Sequence, residues 1–174
     1  MIVLAFDPGT ATTGFAAVEK RPGDKLVALD FGVIRTRPDT PAPERLMQIY
    51  DSVSGLIAAH KPDSVATERL FFSSNETTGI AVGRAIGVIL LAIAQSKLPW
   101  AEYTPMQVKL AVTGTGSADK RQVQYMVTRL LGLKEAPKPD DAADAVAVAI
   151  CHINTGALGQ LMRTAQRPAA GRRR

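Results

Sequence analysis

Residues 2–6, Ile-Val-Leu-Ala-Phe, form an unbroken apolar run that stops at the turn signal Asp7-Pro8-Gly9, and TGFAAVEK over 13–20 resumes as a second extended segment. Two such runs around a short polar connection predict a hairpin. The stretch RPGDK is the next turn, and KLVALDFGVIRT over 25–36 has the β-branched content of a third strand. Beyond Pro41 and Pro43 the apolar period changes: Leu46, Ile49, Val53, Leu56 and Ile57 recur at helical spacing, which predicts a helix to about His60. Pro62 resets the chain, PDSVATERL supplies a fourth strand ending near Glu68, and after the polar SSNETT a long helix covers about 77–96. PWAEY, 99–103, reads as a fifth strand. Helices follow at about 105–112 and 119–131, and after the linker 134–139 comes a last helix that opens on aspartates. Three antiparallel strands followed by alternating helix and strand predict an α/β fold, a mixed five-stranded sheet flanked by helices.

Composition narrows the class. The 174 residues fit one domain, and 46% hydrophobic against 21% charged residues is the balance of a folded globular chain. The folded core is expected over 1–155. From Gly156 on, the sequence is basic, with Arg163, Arg167, Arg172, Arg173 and Arg174 and no acid, and reads as a mobile tail over 156–174. Lysine and arginine exceed acids by 21 to 16, giving a formal charge of +5, which favours polyanionic partners without specifying one. Cys151 as the single cysteine excludes an internal disulfide, and with only His60 and His152 no thiolate or imidazole metal cluster can be built. The N-terminus has no signal-peptide pattern, and the longest apolar run, Ala85–Ala94, is too short for a bilayer, so the expectation is a soluble cytoplasmic protein with no membrane partner.

The chemistry lies in the carboxylates. Asp7 ends the first predicted strand, Glu68 ends the fourth, and Asp141 and Asp144 sit one turn apart on one face of the last helix, so all four can meet at one sheet edge. Each also has a plain structural reading. Aspartate in a DPG turn commonly accepts backbone hydrogen bonds, a strand-end glutamate can simply face water, and Asp140 and Asp141 suit the first turn of a helix. Asp144 is past the cap and flanked by alanine and valine, where capping explains little. Buried acids in contact raise one another's pKa unless a divalent cation offsets them, and hard oxygen ligands suit magnesium-type ions.

Four segments carry a specific likeness: AFDPGTATTGFAAVE, ERLFFSSNETTGIAVGRAIG, YTPMQVKLAVTGTGSADKRQVQ and PDDAADAVAVAICH, in that order over about 1–155. Together they resemble the RuvC-type Holliday junction resolvases. The resemblance implies a ribonuclease H-like fold, a homodimer, and paired symmetric nicking of four-way junction DNA in recombination and repair. It implies two magnesium or manganese ions per active site, one generating the attacking hydroxide, and 5′-phosphate and 3′-hydroxyl products. It also implies a handover from a branch-migration motor, in a bacterial cytoplasm. By position the metal-binding acids fall on Asp7, Glu68, Asp141 and Asp144; the family varies at the position of Asp141, which the resemblance therefore specifies least.

The same likeness assigns Phe71 to a DNA contact, where an exposed ring can stack on a base, and Lys109 and Lys120 to phosphate contacts beside the acids, Lys120 also to catalysis. Arg69, Arg84 and Arg121 are weaker candidates, as is Phe72, and Cys151 and His152 read as packing residues. Gly79, Gly83 and Gly87 recur every four residues on the long helix although each costs about 1 kcal/mol against alanine, which points to a close approach by the sheet or by a second subunit. Two rivals carry other features. Actin-like ATPases and sugar kinases share a DxGT hairpin but need two domains and leave Asp141 and Asp144 unexplained; a catalytically silent DNA binder gains nothing from a cluster of acids.

Overall fold

The computed structural model describes residues 1–69 and 76–165, with side chains described outside 76–78 and 157–165. Phe71 and Phe72 lie outside the described residues. The strands are β1 (Ile2–Asp7), β2 (Thr12–Lys20), β3 (Leu26–Arg35), β4 (Ser64–Glu68) and β5 (Trp100–Tyr103). The helices are α1 (Ala42–His60), α2 (Glu76–Gln95), α3 (Pro105–Thr113), α4 (Lys120–Leu130) and α5 (Asp140–Ala165). Every expected element is present within a few residues.

One five-stranded sheet has the order β3-β2-β1-β4-β5. The first three strands pair antiparallel and β4 and β5 join in parallel, as the meander followed by helical crossovers requires. Because β1 and β4 are parallel neighbours, with Phe6 beside Thr67, their carboxyl ends come out side by side and set Asp7 next to Glu68.

Strand alternation then sorts the side chains. Leu4, Phe6, Ala17 and Val65 point to one face with Ile49, Val53, Ala85 and Ile89 of α1 and α2. Val3, Ala5, Ala16, Val18 and Ala66 point to the other, with Val108, Val112, Val123 and Val127 of α3 and α4 and the apolar run of α5. That run, Ala142 through Ile150 apart from Asp144, is buried nearly all round because the sheet covers one side of α5 and α3 and α4 cover the other. Its small side chains let it lie close to the sheet. The closest point is Gly14, opposite Asp7 in the hairpin, where a Cβ would stand 2.0 Å from the Asp141 carbonyl oxygen.

One bound differs and one alternative closes. α5 continues to Ala165, past Gly156 where the sequence suggests the tail begins, with no proline between them to stop it. Gly83 and Gly87 do not admit the sheet: a Cβ at either would meet nothing within 4 Å, and both are exposed. No described helix is long and apolar enough to cross a membrane.

A methyl at Gly14 must displace backbone rather than a flexible side chain. Gly14→Ala is therefore expected to destabilise the protein by about 1–3 kcal/mol, as overpacking does, read as a fall in Tm of roughly 3–10 °C.

Candidate active site

Three separate elements deliver the four acids. Asp7 and Glu68 come from adjacent strand ends, Asp141 and Asp144 from the first turns of α5 laid over them. The turn after Asp7 is fastened: Thr13 Oγ1 donates to the Gly9 carbonyl at 2.6 Å, Thr36 Oγ1 donates to the Thr10 carbonyl at 2.6 Å, and Arg45 Nε donates to Thr36 Oγ1 at 2.8 Å. Among the described residues none donates a hydrogen bond to the Asp7 or Glu68 carboxylate. The turn-cap role open to Asp7 in the sequence thus has no hydrogen bond behind it, and both carboxylates are half-buried at their strand ends.

The electrostatic consequence is large. Burial, then the charges of Glu68, Asp144 and Asp141, push the Asp7 pKa up to about 8. Burial and Asp144 push Glu68 up to about 7, against Lys109 and Lys120, which lower it. Burial also raises Asp144 and outweighs its hydrogen bond to Lys120.

Lys120 is the first residue of α4, whose N-cap Asp119 forms a capping box with Gln122. Its Nζ stands 3.1 Å from Asp144 Oδ2 and 3.2 Å from Asp140 Oδ2. Burial works against the ammonium, but the bonds to Asp144 and Asp140 prevail and raise its pKa. Asp140, read from the sequence as a helix cap, instead reaches across to α4, where Lys120 and the Gln124 amide at 3.0 Å hold its carboxyl below the usual range.

Glu68, Asp144, Lys109 and Lys120 line a cleft of about 260 Å³, floored by Val108, Val123 and Ala147. Two other candidates point elsewhere. The Arg69 guanidinium is bound to Glu102 on β5, Nε to Oε2 at 2.7 Å, and Arg121 lines a separate hollow with Thr113, Thr115 and Tyr125. Arg84 is exposed on α2. Sequence reasoning missed Gly14, for which glycine opposite Asp7 was the signal, and a buried role for His152, whose ring nitrogens meet Ser64 and Tyr103.

The donor set fits a hard divalent cation: carboxylate oxygens, short of hydrogen-bond donors, whose mutual repulsion such an ion would relieve. Among the described residues no three acids close around one point as a finished metal cage, and the Lys120 ammonium stands beside Asp144. An ion entering here would take over the neutralising role that Lys120 now fills in part.

The profile of the family described as crossover junction endodeoxyribonuclease RuvC matches residues 3–152. The chain belongs to the RuvC family. A RuvC of Desulfitobacterium hafniense is 53% identical over 155 residues, 89% of this chain and 93% of that protein. One of Syntrophomonas wolfei is 46% identical over 173 residues, 99% and 100% of the two chains. Among solved structures, Thermus thermophilus RuvC in complex with Holliday junction substrate superposes with a TM-score of 0.88 at 38% identity, covering 91% of this chain and 96% of that one. The yeast mitochondrial resolvase Ydc2, at 15% identity and a TM-score of 0.67 over 93% of this chain and 83% of its own, shares the fold.

The Asp7 carboxyl titrates near 3.8 when unfolded and at about 8 when folded, so the native state holds the extra proton between those values. Its contribution to metal-free stability is full below about pH 4 and is lost as pH rises to about 8. Asp7→Asn removes this loss. In EDTA the Tm advantage of Asp7→Asn over the parent is expected to grow from pH 4 to pH 8 and then level off, reaching several degrees for about 1–3 kcal/mol. Equal pH profiles for the two proteins would contradict the buried, repelled carboxylate.

Proposed function

We propose that this protein resolves four-way DNA junctions by metal-dependent phosphodiester hydrolysis, with Asp7, Glu68, Asp141 and Asp144 as the metal ligands. The observation that carries the reading is the convergence of four acids from three elements on one sheet edge, where burial and mutual repulsion hold Asp7 at about 8. A fold that keeps such a cluster without a cation loses stability near neutral pH and gains nothing. Family membership supports the reaction class, and the junction complex of the Thermus relative supports the substrate.

Two magnesium or manganese ions, when bound, would supply Lewis acidity, lowering the pKa of water and offsetting charge on the phosphate. The chain's own residues do the rest. The acids place the site at the bottom of an open cleft, and Lys109 and Lys120 on its walls attract the phosphodiester and oppose the charge that builds on it. Lys120 stands in an ion pair with Asp144, so a cation held by that carboxylate would free its ammonium to face the phosphate. Phe71 is assigned to a DNA contact on the strength of the resemblance; Arg69 and Arg121 are the weaker candidates for one, Arg69 requiring release from Glu102.

Two cuts in a two-fold symmetric junction call for two equivalent active sites, and α2 offers a surface for pairing. Ile80, Gly83, Gly87 and Leu91 follow one another at three- and four-residue spacing and are all exposed, Ile80 at 56% and Leu91 at 52%. Bare glycines between exposed aliphatic residues let a second helix approach closely. The assembly assigned is therefore a homodimer through α2.

Incubation of a labelled mobile four-way junction and a matched linear duplex with magnesium, manganese or EDTA tests the reaction. Paired, junction-selective nicks that disappear with EDTA and fall at least about 1000-fold in Asp7→Asn are expected; a junction bound but uncut with either metal would leave a binding protein only. Sedimentation tests the assembly. A dimer at micromolar concentration that becomes monomeric in Gly87→Arg is expected, while an unaltered monomer in the parent protein removes the α2 interface.

A further inference from the structure

His152 lies on α5 eight residues after Asp144, and both of its ring nitrogens are engaged. Nε2 is 2.9 Å from Ser64 Oγ and Nδ1 is 2.9 Å from the Tyr103 hydroxyl. The Tyr103 ring also meets the imidazole edge to face, with centroids 5.7 Å apart and planes at 71°. Ser64 is the first residue of β4, and Tyr103 is the last of β5, paired with Glu68 in the parallel ladder. Three elements that carry or adjoin the carboxylates thus meet at one buried polar point; Ser64 is 8% and Tyr103 7% exposed.

Elsewhere on the sheet α5 sets alanine, valine and isoleucine against side chains of the same kind; other polar bonds of α5, Asn154 Nδ2 to the Ala111 carbonyl and Asp140 and Asp144 to Lys120, go to α3 and α4. Apolar contacts are non-directional, so a helix can slide or roll on them at small cost. Hydrogen bonds at 2.9 Å fix direction as well as distance. The spans on either side match: eight helical residues advance about 12 Å, and four strand residues from Ser64 to Glu68 advance about 13 Å. α5 runs opposite to β4, so seating His152 on Ser64 brings Asp144 to Glu68 at the far end. Eight residues also turn a helix by about 80°, within one apolar stripe, so both side chains can face the same strand.

An apolar trio of similar shape could fill this space with little change in stability, because replacing all partners of a hydrogen bond together is nearly neutral. The polar trio's advantage over it is directional. We propose that Ser64, His152 and Tyr103 form a register pin that sets the separation of Asp144 from Glu68 and so the geometry offered to the metal. These are positioning residues: Ser64 lies at the opposite end of β4 from Glu68, and Tyr103 reaches His152 from β5 beside it. The catalytic consequence rests on the function proposed above; the effect on metal binding is read without it.

Ser64→Ala and Tyr103→Phe each remove one oxygen, and Ser64→Thr keeps the hydroxyl. Three readouts separate positioning from folding: the Tm rise on adding magnesium or manganese chloride, the metal concentration giving half-maximal junction cleavage, and junction affinity in EDTA. In Ser64→Ala and Tyr103→Phe the metal concentration required is expected to rise about 10-fold, the size seen for residues that orient ligands, with a smaller metal-induced Tm rise. Junction affinity in EDTA stays within about 2-fold, and Ser64→Thr recovers most of the loss. Should Ser64→Ala fail to fold, Tyr103→Phe carries the same comparison. Parental metal dependence in both variants overturns the pin, and so does a defect that tracks the metal-free Tm alone. If the parent protein cuts no junction, the proposed function falls. The metal-induced Tm rise then decides the pin by itself: reduced in the variants it stands, equal or absent throughout it fails.

Discussion

Four carboxylates drawn together at the edge of a buried sheet are the constraint on which the other arrangements depend. Each strand end and the first turn of α5 could have been closed with neutral residues at less cost. Instead burial and repulsion drive Asp7 to about 8 and Glu68 to about 7, and Lys120 is held beside Asp144 as a partial counterweight. The unfavourable term is local, and the large apolar interfaces on both faces of the sheet are what sustain it. Removing water from these acids is costly for the empty site and useful for a filled one, because the same repulsion becomes affinity for a cation.

Holding that cluster is a matter of short-range geometry. Gly14 lets the Asp141 backbone descend to the hairpin, the threonines at 13 and 36 fasten the turn behind Asp7, and the alanine-rich face of α5 keeps the helix low. At the other end of the same helix His152 supplies directional bonds that its apolar neighbours lack. α5 therefore does three jobs along its length: it presents acids, fills the core and registers itself. Its lack of a polar face, odd for a surface helix, follows from being sandwiched between the sheet and two further helices.

Much of this was legible beforehand. The period change after Pro43, the punctuation at Asp7-Pro8-Gly9 and Pro62, and the aspartates opening an otherwise apolar helix are local signals, and apart from the far end of α5 they located the strands and helices to within a few residues. The candidate acids were legible for the same reason, since a carboxylate in an apolar run conflicts with its surroundings and the conflict is visible in one dimension. What the sequence could not show is which distant partners its residues take. Asp140 stands in the first turn of α5, as its position suggests, and is also bound by Lys120 and Gln124 on α4; Glu102 across the sheet holds Arg69; His152 looks like filler until Ser64 and Tyr103 stand beside it.

The sequence by itself determined the elements, their order, the basic balance and which residue types were available for chemistry, because periodicity, turn residues and charge act over a few positions. Only the tertiary structure decided which of those residues share a site. Parallel pairing of β1 with β4 put Asp7 beside Glu68, although 61 residues separate them in sequence. The approach at Gly14 and the seat of His152 then fixed how far α5 carries its own acids over them. Those outcomes depend on distances across packed layers, and a one-dimensional pattern holds no distances.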